Sequence, residues 1–235
     1  MPVVENVTLG GGQVPTLQSV TQLSAAQINA LSVTPVQLVP APGAGKVVLV
    51  FGVAFVFAAG TILYQTSGAD TQSIFYAGDP TKTLTQLFSN LITKFPLSSS
   101  FAYQPGGVAL TVFLLPGDTN KAVQISAASP FDQGAIATSS LGAGGAGYVA
   151  NDTGKITTGN GDATYKVLTV DGGGAVLTYQ ITNPGTGYNT GNGQATAVGG
   201  AQPGVGAGFT VNVLTVNLGN GTLKVVTYYQ IIPVP

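Results

Sequence analysis

Cysteine, histidine, tryptophan and arginine are all missing from this sequence. Without cysteine there is no disulfide, no thiolate ligand and no thiol nucleophile, and the redox compartment is left open. Without histidine, Ser-His-Asp and Cys-His catalysis and ordinary zinc sites are excluded, and only carboxylates remain as acid or base. Charge itself is scarce, at 6% of 235 residues against a typical share of about a quarter. The seven basic residues are lysines scattered singly. No basic patch can neutralise phosphates and no guanidinium can make a bidentate contact, so no nucleic-acid partner is expected. A formal net charge of −1 supplies little repulsion between copies, which favours a packed, multi-copy subunit over a freely diffusing monomer.

What is present is apolar residues, at 44%, and 34 glycines beside many Ser, Thr, Asn and Gln. That is enough for real cores and leaves a surface of neutral polar groups. The start MPVVENVTLGGG lacks a basic region leading into an apolar one, so no cleaved signal peptide is expected. Residues 47–64 (VVLVFGVAFVFAAGTILY) carry no charge and are long enough to suggest a membrane helix. Yet bulky residues fall on odd positions from Val47 to Phe57 and smaller ones on even positions. A period of two fits a strand apolar on both faces, so a buried strand is the reading and no membrane partner is expected.

Residues 1–23, with GGG at 10–12 and no period, read as an extended N-terminal arm reaching to a neighbour. Ser24 and Gln27 form a capping box and Leu23 and Ile28 a hydrophobic staple, predicting a short helix from Ala25 to about Leu31. Residues 34–46 read as an extended segment limited by Pro40 and Pro42 that turns through Gly43–Gly45 into the long strand as a first hairpin. SIFYAG, from Ser73, reads as a short strand. Asp79 and Pro80 then open a second helix with Leu84, Leu87, Phe88, Leu91, Ile92 and Phe95 on one face, ending at Pro96. Residues 108–115 and 121–126 form a hairpin around PGDTN.

Residues 142–216 have a composition of their own and an internal repeat. GAGY at 145–148 recurs as GTGY at 185–188, and VLTV at 167–170 recurs at 213–216. Two related halves predict a small self-contained unit. Its expected interior is Tyr148, Ile156, Val167, Leu168, Val176, Leu177, Ile181, Tyr188, Phe209, Val211 and Val213. Strand-like residues 121–126 and 222–232 flank it and would pair as neighbours if it were removed. The expected fold class is therefore all-β, a jelly-roll-like antiparallel β-sandwich (24–141 plus 217–235). A small Gly-rich β domain (142–216) is inserted before its last strand, with one or two short helices.

SAAQINALSVTPVQLVPAPGAGK, from Ser24, and the closing GNGTLKVVTYYQIIP resemble a class of tailed-bacteriophage virion proteins. The insert resembles the Gly-rich β modules of phage tail fibres and head decoration proteins. The resemblance implies a non-enzymatic structural subunit on the particle surface, commonly a homotrimer, with itself and the major capsid protein or other virion proteins as partners. A capsid decoration or cement protein is the first expectation. The alternative is a tail fibre or receptor-binding module contacting host glycans.

No catalytic, cofactor-binding or metal residue is assigned and no cofactor is expected, but several residues bear weighing. Asn151, Asp152, Asp162 and Asp171 could supply oxygens to calcium, although Asp and Asn beside Gly are also what tight turns require, and their spacing matches no calcium loop. Tyr148 and Tyr188 could stack on a sugar, or anchor the repeated G-x-G turn from inside. Asp118 with Asp132, or Asp162 with Asp171, could be imagined as a glycosidase pair. The glycines before Lys46 lack the gap and the Ser/Thr of a phosphate loop and read as a turn.

Overall fold

The computed structural model describes residues 4–9, 12–80, 83–84, 88–89, 92–93, 99–103, 118–199 and 205–234. In chain order its elements are β1 (Val4–Leu9), β2 (Gly12–Leu23), α1 (Ala25–Asn29), β3 (Val36–Val39), β4 (Lys46–Ala58), β5 (Thr71–Tyr76), β6 (Phe88–Ser89), β7 (Ser99–Tyr103) and β8 (Val123–Ala127). They continue as β9 (Ala135–Ala146), β10 (Thr153–Ile156), β11 (Thr164–Val170), β12 (Val176–Asn183), β13 (Gly191–Val198), β14 (Ala207–Asn217) and β15 (Thr222–Pro233). The fold is all-β and sandwich-like, every strand pair among the described residues is antiparallel, and the chain divides into two compact units.

The first unit takes residues 1–63, 68–131 and 220–235. It holds a five-stranded sheet, β1-β2-β15-β4-β7, and a four-stranded one, β3-β8-β5-β6. Hydroxyl groups tie the two sheets together: Tyr76 on β5 donates to the Val48 carbonyl, and Ser19 on β2 donates to the Leu38 carbonyl at 2.6 Å. Leu23, Val53, Phe55, Phe57, Leu223, Val225, Ile74 and Ile125 fill the space between, each almost wholly buried.

Residues 47–58 of the uncharged stretch lie in β4, a strand, and not in a membrane helix. Its alternation is broken once. Tyr228 of β15 faces Gly52 while Tyr229 faces Val50, leaving Phe51 as a bulge. The extra residue reverses the phase, so Val53, Phe55 and Phe57 are buried on one side of it and Val48 and Val50 on the other. α1 begins with the expected capping box: the Ser24 hydroxyl accepts from the Gln27 N–H, and the Gln27 side chain accepts from the Ser24 N–H at 3.0 Å.

Several expectations need correction. β2 is no free arm over residues 17–23, where it pairs along β15, and residues 12–17 carry on as a hairpin with β1. β3 pairs with β8 and β4 with β15, so the Pro40–Gly45 stretch is a corner between sheets and not a hairpin turn. β8 and β15 also lie in different sheets, because β15 is already flanked by β2 and β4. Most of the second expected helix lies outside the described residues. Within them, Thr83 bridges Phe75, and β6 pairs with β5 at Thr71 and Gln72, so the apolar spacing serves an extended strap and not a helix there. The Asp70 carboxylate holds that strap by accepting from the Ile92 N–H (3.1 Å), the Thr93 N–H (2.7 Å) and the Thr93 hydroxyl (2.7 Å). The expected strand at 108–115 lies outside the described residues.

The second unit takes Tyr64–Ser67 and Asp132–Gly219. Composition placed the insert at 142–216, but β9 starts at Ala135 with AIATSS, which reads like any ordinary strand. The six strands order as β12-β11-β10-β13-β14-β9. That order is a palindrome of the internal repeat. Each half contributes a first strand (β9 or β12), the G-x-G-Y turn, a middle strand (β10 or β13) and a VLTV-bearing last strand (β11 or β14). The middle strands pair with each other at the centre, and each first strand pairs with the last strand of the other half. The edge strands meet, with the Tyr179 hydroxyl of β12 donating to the Ser139 hydroxyl of β9 at 2.8 Å.

Candidate functional site

The repeated G-x-G-Y turns are the most constrained feature of the second unit. Gly145, Gly147, Gly185 and Gly187 have φ of 64°, 77°, 63° and 73°, in the left-handed region where a Cβ is strained, so both glycines of each motif are demanded by backbone geometry. Each turn delivers its tyrosine inward: Tyr148 is 2% exposed and Tyr188 is 1%. The anchoring is reciprocal. The Tyr148 N–H donates to the Gly174 carbonyl at the entrance to the second half, and the Tyr188 N–H donates to the Gly134 carbonyl at the entrance to the first, both at 2.9 Å. Both rings face protein: Gly206 lies against Tyr148, and Gly159 and Gly185 lie against Tyr188. The Tyr188 hydroxyl donates to the Ile156 carbonyl (3.1 Å) and accepts the Ala163 N–H (3.0 Å). Neither ring has a free face for a sugar, so stacking on a glycan is ruled out for these two tyrosines.

The interior is organised on Phe209, which the expected core included. Tyr148, Tyr165 and Tyr179 approach it edge-on, with centroids at 5.9, 4.9 and 5.3 Å. Such pairs add about 0.5–1.5 kcal/mol each beyond burial. Burial pushes the Tyr165 hydroxyl up to about 12, so it stays neutral at physiological pH. Leu168 and Leu177 were expected inside but are 45% and 53% exposed. The cause is a pair of bulges. Thr169 faces Thr178 while Val170 faces Val176 and Val167 faces Tyr179, so Leu168 and Leu177 drop out of the ladder. The other half repeats the device: Thr215 faces Thr138 between the pairs Val216–Ile136 and Val213–Ser139, expelling Leu214, which is 50% exposed. In both places the two threonine hydroxyls bond each other at 2.6 Å. Ile136, Ala163 and Tyr165 are buried members of the core absent from the sequence reading.

The four candidate calcium ligands are not brought together as one set: Asn151 and Asp152 share the turn at 149–152, and Asp162 and Asp171 serve two others. Asn151 is left-handed (φ 74°). Asp152 is fully buried, with one oxygen accepting the Val149 N–H at 2.9 Å and the other without a hydrogen-bond partner among the described residues. Asp171 closes the β11–β12 turn by accepting from the Gly173 and Ala175 N–H groups, both at 2.8 Å. Asp162 accepts the Thr186 N–H (2.8 Å) and hydroxyl (2.7 Å). Desolvation raises its pKa, but the Thr186 bonds outweigh that and hold it below the ordinary carboxylate value. No group of three or more acidic residues suited to a metal occurs among the described residues.

The imagined glycosidase pair of Asp162 and Asp171 does not form either. Asp162 and Asp171 flank opposite ends of β11. At the rise of a strand they stand roughly 25–30 Å apart, whereas such a pair works at about 5–10 Å. Asp118 belongs to the first unit and Asp132 to the second. Asp118 is buried beside Lys121, at 3.8 Å, and adds to the burial that pushes Tyr76 up to about 12. The glycines before Lys46 make a turn: the Gly43 N–H donates to Asn120 Oδ1 at 3.0 Å, and the Asn120 N–H donates to the Lys46 carbonyl at 2.8 Å. Asp70, the anchor of the strap in the first unit, had no distinguishing signal in its polar run. In comparisons with known proteins, no family model, curated protein or solved structure matches this chain.

Proposed function

We propose that this chain is a non-enzymatic structural subunit of a tailed-phage particle, a capsid decoration or cement protein that sits on the head shell as a homotrimer and braces the major capsid protein. The observation that carries the reading is the near absence of charge, 6% of residues, on an all-β body that uses several of its carboxylates for architecture. Asp70 secures a strap, and Asp162 and Asp171 cap turns. A surface of Thr, Ser, Asn and Gln suits broad contacts made of backbone hydrogen bonds and apolar area, which tolerate changing salt better than ion pairs do. The resemblance of the Ser24–Lys46 and C-terminal stretches to virion proteins points the same way.

The test is a particle lacking this protein. It should assemble with normal shape yet release its genome at lower temperature, and intact particles should carry hundreds of copies. Unchanged heat resistance with lost host adsorption, and a copy number near a dozen, would transfer the protein to a tail fibre.

A further inference from the structure

We infer that Asn192 is a self-modification site, at which the chain converts its own asparagine to aspartate or isoaspartate without an enzyme. The reaction needs only the following residue and water. The Gly193 nitrogen attacks Asn192 Cγ, its proton passes to solvent base, and the side-chain nitrogen leaves as ammonia. Water then opens the five-membered imide at either carbonyl, and nothing is oxidised or reduced. A following glycine favours attack because it has no Cβ to obstruct the approach.

The sequence offers three such dipeptides, Asn160–Gly161, Asn192–Gly193 and Asn220–Gly221, and the structure separates them by the freedom of the carboxamide. Asn220 is clamped at both ends: Oδ1 accepts the Ile62 N–H and Nδ2 donates to the Thr61 hydroxyl, each at 2.9 Å. Asn160 donates through Nδ2 to the Thr186 hydroxyl at 2.9 Å, and the Gly161 N–H is engaged by the Thr158 carbonyl at 2.9 Å. The Asn192 side chain is exposed, and no hydrogen bond holds it among the described residues. Pairing between β13 and β14 jumps from Gly191–Val213 to Gln194–Val211, so Asn192 and Gly193 stand outside the ladder. Gly193 is left-handed (φ 66°) with open space around it. One restraint remains: its N–H donates to Asn212 Oδ1 at 2.8 Å, and Asn212 Nδ2 is itself fixed by the Leu141 carbonyl at 3.2 Å. Asn212 is therefore a brake on the reaction, holding the attacking nitrogen without touching the group attacked.

The product is tolerated where it forms, because isoaspartate lengthens the backbone at a point where the ladder is already interrupted. Each event takes the formal net charge from −1 to −2, enough to resolve on an ion exchanger.

The experiment incubates the full-length folded protein at mildly alkaline pH and maps the three peptides by mass over time, with urea-unfolded protein as reference. In the unfolded chain the three sites should convert at similar rates. In the folded chain Asn192 should convert roughly tenfold or more faster than Asn160 and Asn220, the ratio set by one or two side-chain hydrogen bonds that must break first. Asn192→Gln should abolish the new acidic species, and Asn212→Ala should speed its formation. Conversion of Asn160 or Asn220 at the rate of Asn192, or an Asn192 that survives in the folded protein while the unfolded chain reacts, would overturn the inference. An unchanged rate in Asn212→Ala would remove the brake.

Discussion

Tyr188 and the glycines around it show how little freedom single residues have in the second unit. Its hydroxyl serves two buried backbone groups, the Ile156 carbonyl and the Ala163 N–H. Tyr188→Phe keeps the ring and orphans both, so it should lower unfolding stability by about 1–3 kcal/mol in denaturant titrations. Glycines can be ranked in the same way. Gly161→Ala meets open space but a left-handed φ of 68°, a strain of roughly 1–2 kcal/mol. Gly145→Ala adds to the same strain a collision with the backbone of Ala207–Phe209, and should cost about 1–3 kcal/mol more. Equal losses for the two variants would contradict the close packing of that turn. Asp162 gives a pH signature. Its folded pKa lies below the ordinary carboxylate value, so its contribution is present above the unfolded pKa and is lost as pH falls through the folded one. Asp162→Asn should lower the denaturation midpoint at neutral pH and remove that part of its fall towards acid, so that the two proteins converge as pH drops below the folded pKa. The G-x-G-Y turns were legible in the sequence because left-handed backbone demands glycine. The strap groups that bond Asp70, at Ile92 and Thr93, were not, because they lie more than twenty positions away.

At the scale of elements, periodicity located strands well and failed wherever a bulge changed its phase. β4 was visible from its alternation, but the residue that reverses it, Phe51, is no different in kind from its neighbours. Leu168 and Leu177 look like core residues in VLTV and AVLTY, and only the paired threonines reveal that the ladder skips them. A direct check compares neighbours. Leu168→Gln should change stability by less than about 0.5 kcal/mol, as surface substitutions do. Val167→Ala, one residue earlier and fully buried, should cost roughly 2 kcal/mol. If Leu168→Gln proved the more damaging, the bulge would be misplaced. Pairing partners were the least legible property. Nothing in residues 121–126 says that β8 joins β3 and β5, because register between distant strands is set by tertiary packing and not by local pattern.

At the scale of the whole molecule, repeated motifs announced two related halves, but not that each half completes its neighbour. The exchange of first strands means that neither half can close its ladder alone, whereas the pair closes fully and presents two adjacent ends. Ala135, at the start of β9, faces Asn217, at the end of β14. Neighbouring strands lie about 5 Å apart, so the chain leaves and re-enters the unit almost at one point, and that geometry makes an insertion removable. Replacing residues 132–219 by a Gly-Ser linker of about four residues, ample for such a gap, should therefore leave the first unit folded. Its sheets draw on β1–β8 and β15 and use no strand from the deleted segment. A soluble product with a β-type circular dichroism spectrum and one cooperative transition is expected. The Tyr64–Ser67 segment, which belongs to the removed unit, would lose its bridge from Gln65 to Gln133 and become a free loop, cleaved by protease sooner than in the full chain. Aggregation of the shortened chain under conditions where the full protein is soluble would show that the two units fold only together, and that the second is not an accessory to the first but part of its stability.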